Sequence, residues 1–193
     1  MCSSDLLRLD DAVIVWLNST SPRRAISNGR IHKEQLEFCE RQLRDVPSEI
    51  VKIVVAHHHF SPSPDFEHDR TMPKARRALD HFVSLGVDII LGGHLHRAYI
   101  GNSLDVYAGA DREHGIIIVQ CGTTTSRRGR GREREKNSFN MIDARADRLQ
   151  VTHYLYFDRE HGFAPTSRHV FPRPGRGPHG AAPRSTPRLA ARA

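Results

Sequence analysis

The chain has 193 residues and a mass of 21.8 kDa, enough for one domain with a sizeable core. Charged residues make up 26% and hydrophobic ones 38%, and no apolar run approaches the roughly 18 residues of a helical membrane span, so a soluble domain with no membrane partner is expected. The net charge of +7 raises the prospect of nucleic-acid binding, but six arginines and no acidic residue follow Glu160, which leaves 23 basic against 22 acidic side chains in residues 1–160.

Ala12-Val-Ile-Val-Trp-Leu17 is a short β-branched run and reads as a buried strand, with Asn18-Ser-Thr-Ser-Pro22 as the loop after it. From Ile31 to Val46 the apolar residues Leu36, Cys39, Leu43 and Val46 recur at helical spacing, and Pro47 ends the pattern. Ile50 to Ala56 is the next strand and runs straight into His57-His58-His59. A second helix follows Pro73, with Ala75, Leu79, Phe82 and Val83 on one face and Gly86 as its stop. Val87 to Leu91 is then a strand that empties into Gly92-Gly-His-Leu-His96. Gly115 to Gln120, Ser138 to Asp143 and Leu149 to Phe157 follow as strands, the last alternating like half of an exposed sheet. Ser126 to Lys136 is a basic loop, and residues 174–193, rich in Pro, Gly, Ala and Arg, form a disordered tail. Alternating strands and helices imply an α/β sandwich with functional residues where strands end.

Gly-Gly-His-Leu-His is the strongest chemical signal, because histidines two apart on an extended backbone project from one face and can reach one cluster of metals. Gly92 and Gly93 suit a backbone that turns sharply beside bound ions. The histidines after Ala56 share this arrangement, and two strand-end elements one βαβ unit apart lie side by side in a parallel sheet. Imidazole suits Zn, Fe, Ni and Cu, and divalent Mn is accepted at mixed N/O sites.

The order strand-His-His, helix, strand-Gly-His-x-His resembles the calcineurin-like metallophosphoesterase superfamily, from about Ala12 to Phe171, with support from Gly122-Thr-Thr-Thr-Ser126 and Asn137-Ser-Phe-Asn140. The resemblance implies the C-terminal portion of a four-layer αββα sandwich. It also implies phosphoric ester hydrolysis by a metal-bound hydroxide at a dinuclear site holding two divalent or trivalent ions, Mn, Fe or Zn. His57 and His94 would bind one metal and His96 the other. The family usually has His-His-Pro where this chain has His57-His58-His59, so His58 becomes a supporting or leaving-group-protonating catalytic residue and His59 is expected to be solvated. The substrate would be a phosphate ester, with cyclic nucleotides slightly ahead of monoesters.

The carboxylate patterns of that family, Asp-x-His, Gly-Asp-x-x-Asp and Gly-Asn-His-Asp/Glu, do not occur in the chain. The histidine half of a site is therefore expected without the carboxylate half, and neither metal reaches four ligands. The opening Met1 to Leu6 is what the bases GTG TGC TCT TCC GAT CT encode, the end of a common sequencing-library adapter. Residues 1–6 are thus expected to be a non-biological leader, 7–173 the C-terminal part of a metallophosphoesterase domain and 174–193 the tail. A chain so divided should expose an uncovered sheet face and be prone to aggregate. Cys2, Cys39 and Cys121 lack CxxC spacing, which points to a reducing, cytoplasmic setting. Besides a metallophosphoesterase, two other readings stand: a non-catalytic fragment that binds metal weakly, and a basic module binding nucleic acid through its arginine tail.

Overall fold

The computed structural model describes residues 4–20, 29–63, 70–107, 115–126, 128–129, 134 and 136–173. In chain order the elements are β1 (Ser4–Arg8), β2 (Ala12–Leu17), α1 (Lys33–Leu43), β3 (Val51–Ala56), α2 (Ala75–Ser84), β4 (Ile89–Gly92) and β5 (Tyr99–Asn102). A 3₁₀ turn (Ser103–Asp105) leads to β6 (Ile117–Gln120), β7 (Ser138–Ala144), β8 (Arg148–Tyr156) and β9 (Phe163–Pro172). The expected strands and both helices form within a few residues of their anticipated ends. Residues 174–193, expected as a tail, and most of the basic loop lie outside the described residues.

Three strands carry no clear sequence signal, and each is an edge. β1 pairs antiparallel with β2 and begins inside the first six residues, matching Ser4, Asp5 and Leu6 to Leu17, Trp16 and Val15. β5 pairs antiparallel with β6 although Gly101 interrupts its apolar character. β9 contains Pro165 and tolerates it because the pairing with β8 slips at His153/Tyr154, where the ladder is already broken.

The first sheet has the order β1-β2-β3-β4-β6-β5, with β2, β3, β4 and β6 parallel; the second is the antiparallel meander β7-β8-β9. One face of the first sheet offers Val13, Val15, Leu17, Val54, Ala56, Ile90 and Ile118 to Cys39 and Leu43 of α1 and to Ala78, Leu79 and Phe82 of α2. The other face presents Val51, Ile53, Ile89, Ile117 and Val119 to Leu149 and Val151 of β8. Each fully buried aliphatic side chain contributes about 1.5–3 kcal/mol. Helices, sheet and sheet are three layers of the four-layer sandwich. On the outer face of the second sheet Phe139 stacks on Tyr154 and meets Phe163 edge-on, while Met141 and Val170 are exposed. That is the uncovered apolar face expected from the sequence.

A polar hub fastens the layers at the end where β3 and β4 begin. Lys52, buried in β3, donates from Nζ to the carbonyls of Leu43 and Leu85, so one ammonium caps the C-termini of both helices. Asp88, just before β4, accepts from the Lys52 amide and from the Arg173 guanidinium at 3.0–3.1 Å. Arg173 also donates to the carbonyls of Arg145 and Ala146 beside the β7–β8 turn and of Ser48 before β3. One of the six arginines after Glu160, Arg173 is 5% exposed and structural. No helix of the described residues is long and apolar enough to cross a membrane.

Arg173→Ala leaves the Asp88 carboxylate buried without its cation and is expected to cost about 3–5 kcal/mol, read from urea unfolding. Cys39 is fully buried, and that burial pushes its thiol up to about 12. It should resist alkylation near neutral pH while the half-buried Cys121 reacts, with both reacting in urea, as followed by mass spectrometry.

Candidate metal centre

Four parallel strands end at one edge of the first sheet, and the candidate residues follow those ends. In register, Leu17 faces Ala56 and Gly92 faces Gln120, so the loops opening at Asn18, His57, Gly93 and Cys121 are neighbours. Backbone bonds tie them together: Gly93 N–H donates to the His57 carbonyl at 3.1 Å and Cys121 N–H to the Gly92 carbonyl at 2.9 Å.

Within this loop cluster His57 Nε2 and His94 Nδ1 stand 3.2 Å apart. Two nitrogens on one tetrahedral zinc, each at about 2.0–2.1 Å, stand about 3.3 Å apart. The pair therefore fits one ion, with one ligand from each strand end. His58 completes a group of three imidazoles whose ligand atoms all lie within 4.8 Å of one another. Burial first, and then the neighbouring imidazoles of His58, His94 and His96, hold His57 below its ordinary titration range. A neutral imidazole is the form that ligates metal.

His96, expected as a ligand of a second ion, sits half-buried on the same loop but outside that group of three. The reason is local. The His94 to His96 backbone is not extended: His94 has φ 71° and His96 φ 53°. Leu95 N–H donates to the Gly93 carbonyl at 2.8 Å, which closes a γ-turn around His94. With positive φ at both residues, His94 and His96 do not have the extended backbone on which residues two apart share one face. Such strain, at two non-glycine residues one apart, is held here by the strand on either side.

His59 was expected to be solvated and is instead 3% exposed, with its ring stacked over that of His94 at 6.0 Å between centroids. Phe60 explains this, because its fully buried ring packs on Phe82 of α2 and draws the preceding residue inward. Gly92 also has a more specific role than a sharp turn. A Cβ on it would come within 2.4 Å of the Gln120 amide, which is itself fully buried. Ser19 is a residue that sequence reasoning passed over: its hydroxyl lies 2.8 Å from His58 Nδ1. Its signal was only the Asn-Ser-Thr composition of a loop after a buried strand. Among the described residues, no carboxylate joins the three imidazoles.

No family model matches the chain, and neither does any curated protein. Solved structures do match. PhoD is 11% identical and superposes with a TM-score of 0.57 over 85% of this chain and 44% of its own. GAP50, the anchor in the inner membrane complex of Plasmodium, is 12% identical with a TM-score of 0.54 over 89% of this chain and 54% of its own. The chain has the calcineurin-like metallophosphoesterase fold, and at these identities the likeness is one of fold alone. It spans about half the length of those two structures.

Gly92→Ala should lower stability by about 1–3 kcal/mol through overpacking against Gln120. Gly93→Ala, whose Cβ would sit at an ordinary 3.8 Å from His57 Nδ1, should lower it by less. Urea unfolding of the two variants in parallel tests the difference.

Proposed function

We propose that the chain carries the histidine half of a metal-dependent phosphoesterase site. The observation that carries this reading is the 3.2 Å approach of His57 Nε2 and His94 Nδ1 across adjacent parallel strand ends in a metallophosphoesterase fold. His57 and His94 would hold one ion and His96 would bind the other, and Mn, Fe or Zn matches the imidazole donors. Metals bound there supply water activation and neutralisation of phosphate charge.

The chain's own residues prepare the place for that chemistry. The γ-turn sets the His94 backbone, and partial burial first, then the neighbouring imidazoles, lower the His57 pKa and so favour the neutral form that ligates. The substrate class is a phosphate ester, with a diester such as a cyclic nucleotide slightly preferred. Turnover belongs to the protein with its carboxylates, because three imidazoles alone leave an ion short of the four or more ligands it needs. Cys39 and Cys121 as free thiols support a reducing, cytoplasmic setting.

Calorimetric titration with zinc should give binding that His57→Ala and His94→Ala each weaken at least tenfold, about 1.4 kcal/mol or more. Hydrolysis of a model phosphodiester with added Mn should stay at background for this chain. Zinc affinity unchanged in both variants overturns the metal reading. Appreciable turnover that His94→Ala abolishes overturns the half-site reading and makes the chain an enzyme by itself.

A further inference from the structure

We propose that Ser19 fixes His58 as its Nε2–H tautomer, which makes His58 a hydrogen-bond donor to a phosphoryl oxygen and not a third metal ligand. The identity of that acceptor rests on the phosphoesterase reading; the tautomer rests on the hydrogen bonds alone. Ser19 is 1% exposed and His58 2% exposed, so their polar atoms need protein partners, and the two side chains meet.

The Ser19 hydroxyl has two contacts among the described residues. One is the His58 backbone N–H, with N at 3.1 Å, and the other is His58 Nδ1 at 2.8 Å. A hydroxyl carries one proton and two lone pairs, and the backbone N–H can only donate. Ser19 Oγ therefore accepts from the amide and has its own proton left to give. Nδ1 is the acceptor in reach. The reverse arrangement, Nδ1–H donating to Oγ, aims two donors at one oxygen and strands the hydroxyl proton in a buried place.

With Nδ1 accepting, the proton of the neutral ring lies on Nε2. Neither nitrogen is then free to ligate: Nδ1 is taken by Ser19 and Nε2 is protonated. His58 nonetheless stands among the two proposed ligands, its ring centroid 4.9 Å from that of His57 and 4.6 Å from that of His94. A fixed N–H beside the proposed metal ligands suits a hydrogen bond to a phosphoryl oxygen and involves no proton transfer.

The rest of the loop keeps Ser19 and His58 in this pose. Gln35 Nε2 donates to the Asn18 carbonyl at 3.0 Å, and Arg30 N–H donates to the Ser19 carbonyl at 2.8 Å. Gly29, at φ 58°, passes so close that a Cβ there would lie 2.3 Å from the His58 ring and 2.7 Å from the Ser19 carbonyl. Ser19 is thus a positioning residue that acts through His58.

The test is long-range proton–nitrogen NMR of the whole chain labelled with nitrogen-15 histidine, with the His58 signals assigned by their loss in His58→Gln. The metal-free wild type should show the Nε2–H pattern at His58; an Nδ1–H pattern overturns the proposal at once. Ser19→Ala should shift His58 toward a mixture of tautomers, and Ser19→Thr, which keeps the hydroxyl and covers the case of a misfolded alanine variant, should restore Nε2–H. A tautomer indifferent to both changes overturns the role of Ser19.

On adding zinc, the His57 and His94 ring nitrogens should shift as ligands while those of His58 do not. Inorganic phosphate added to the zinc-loaded chain should then perturb the His58 Nε2–H. Ligand-type shifts at His58, or no response to phosphate, overturn the donor role. An Nε2–H pattern lost in Ser19→Ala, without zinc shifts at His57 or His94, upholds the Ser19 assignment and sinks the metal reading alone.

Discussion

The buried pair of Asp88 and Arg173 joins the two sheets, and the placement of the site depends on it. Asp88 precedes β4, the strand that ends in the γ-turn of His94, and Arg173 follows β9, the last strand of the second sheet. A carboxylate and a guanidinium with both side chains 3% exposed lose much of their hydration, and the loss is offset only by the bonds that surround them. Arg173 meets five backbone carbonyls and the carboxylate, and Lys52 beside Asp88 caps both helices. One polar hub thus fixes the register of helices, first sheet and second sheet at one end of the strands. The opposite end is left to carry function.

At that opposite end the chain tolerates what a purely structural edge would avoid. Two histidines adopt left-handed backbone, three imidazoles crowd within ligand range, and a serine is buried under a histidine ring. Local strain and like donors facing one another cost stability, and they recur where geometry serves a bound group. Asn140 links this end to the second sheet, accepting at His153 and donating to the Gln120 carbonyl beside the Gly92 loop. The second sheet therefore supports the site directly besides covering the core.

The second sheet carries aromatic side chains on its outer face, and among the described residues no carboxylate joins the three imidazoles, in a chain that spans about half the length of the two structures it resembles. PhoD and GAP50 share its fold at low identity, which is why local chemistry at the strand ends, more than likeness, carries the functional argument.

By itself the sequence determined the parallel core and the loops that bear chemistry. β-Branched runs such as Val51 to Ala56 bury on both faces, helical spacing marks α1 and α2, and histidines directly after strands must gather where parallel strands end. Three of the edge strands, β1, β5 and β9, were not legible, because they owe their form to a neighbour's free hydrogen bonds more than to their own residues. Tertiary structure alone decided that Arg173 is a buried clamp, that His59 is buried beside Phe60, and that His94 and His96 take positive φ. It also decided that Ser19 meets His58 across 39 residues of chain. Apart from the γ-turn at His94, which is local, each of these is a contact between segments distant in sequence, settled by which partner burial supplies, and periodicity along a single segment carries no record of that partner.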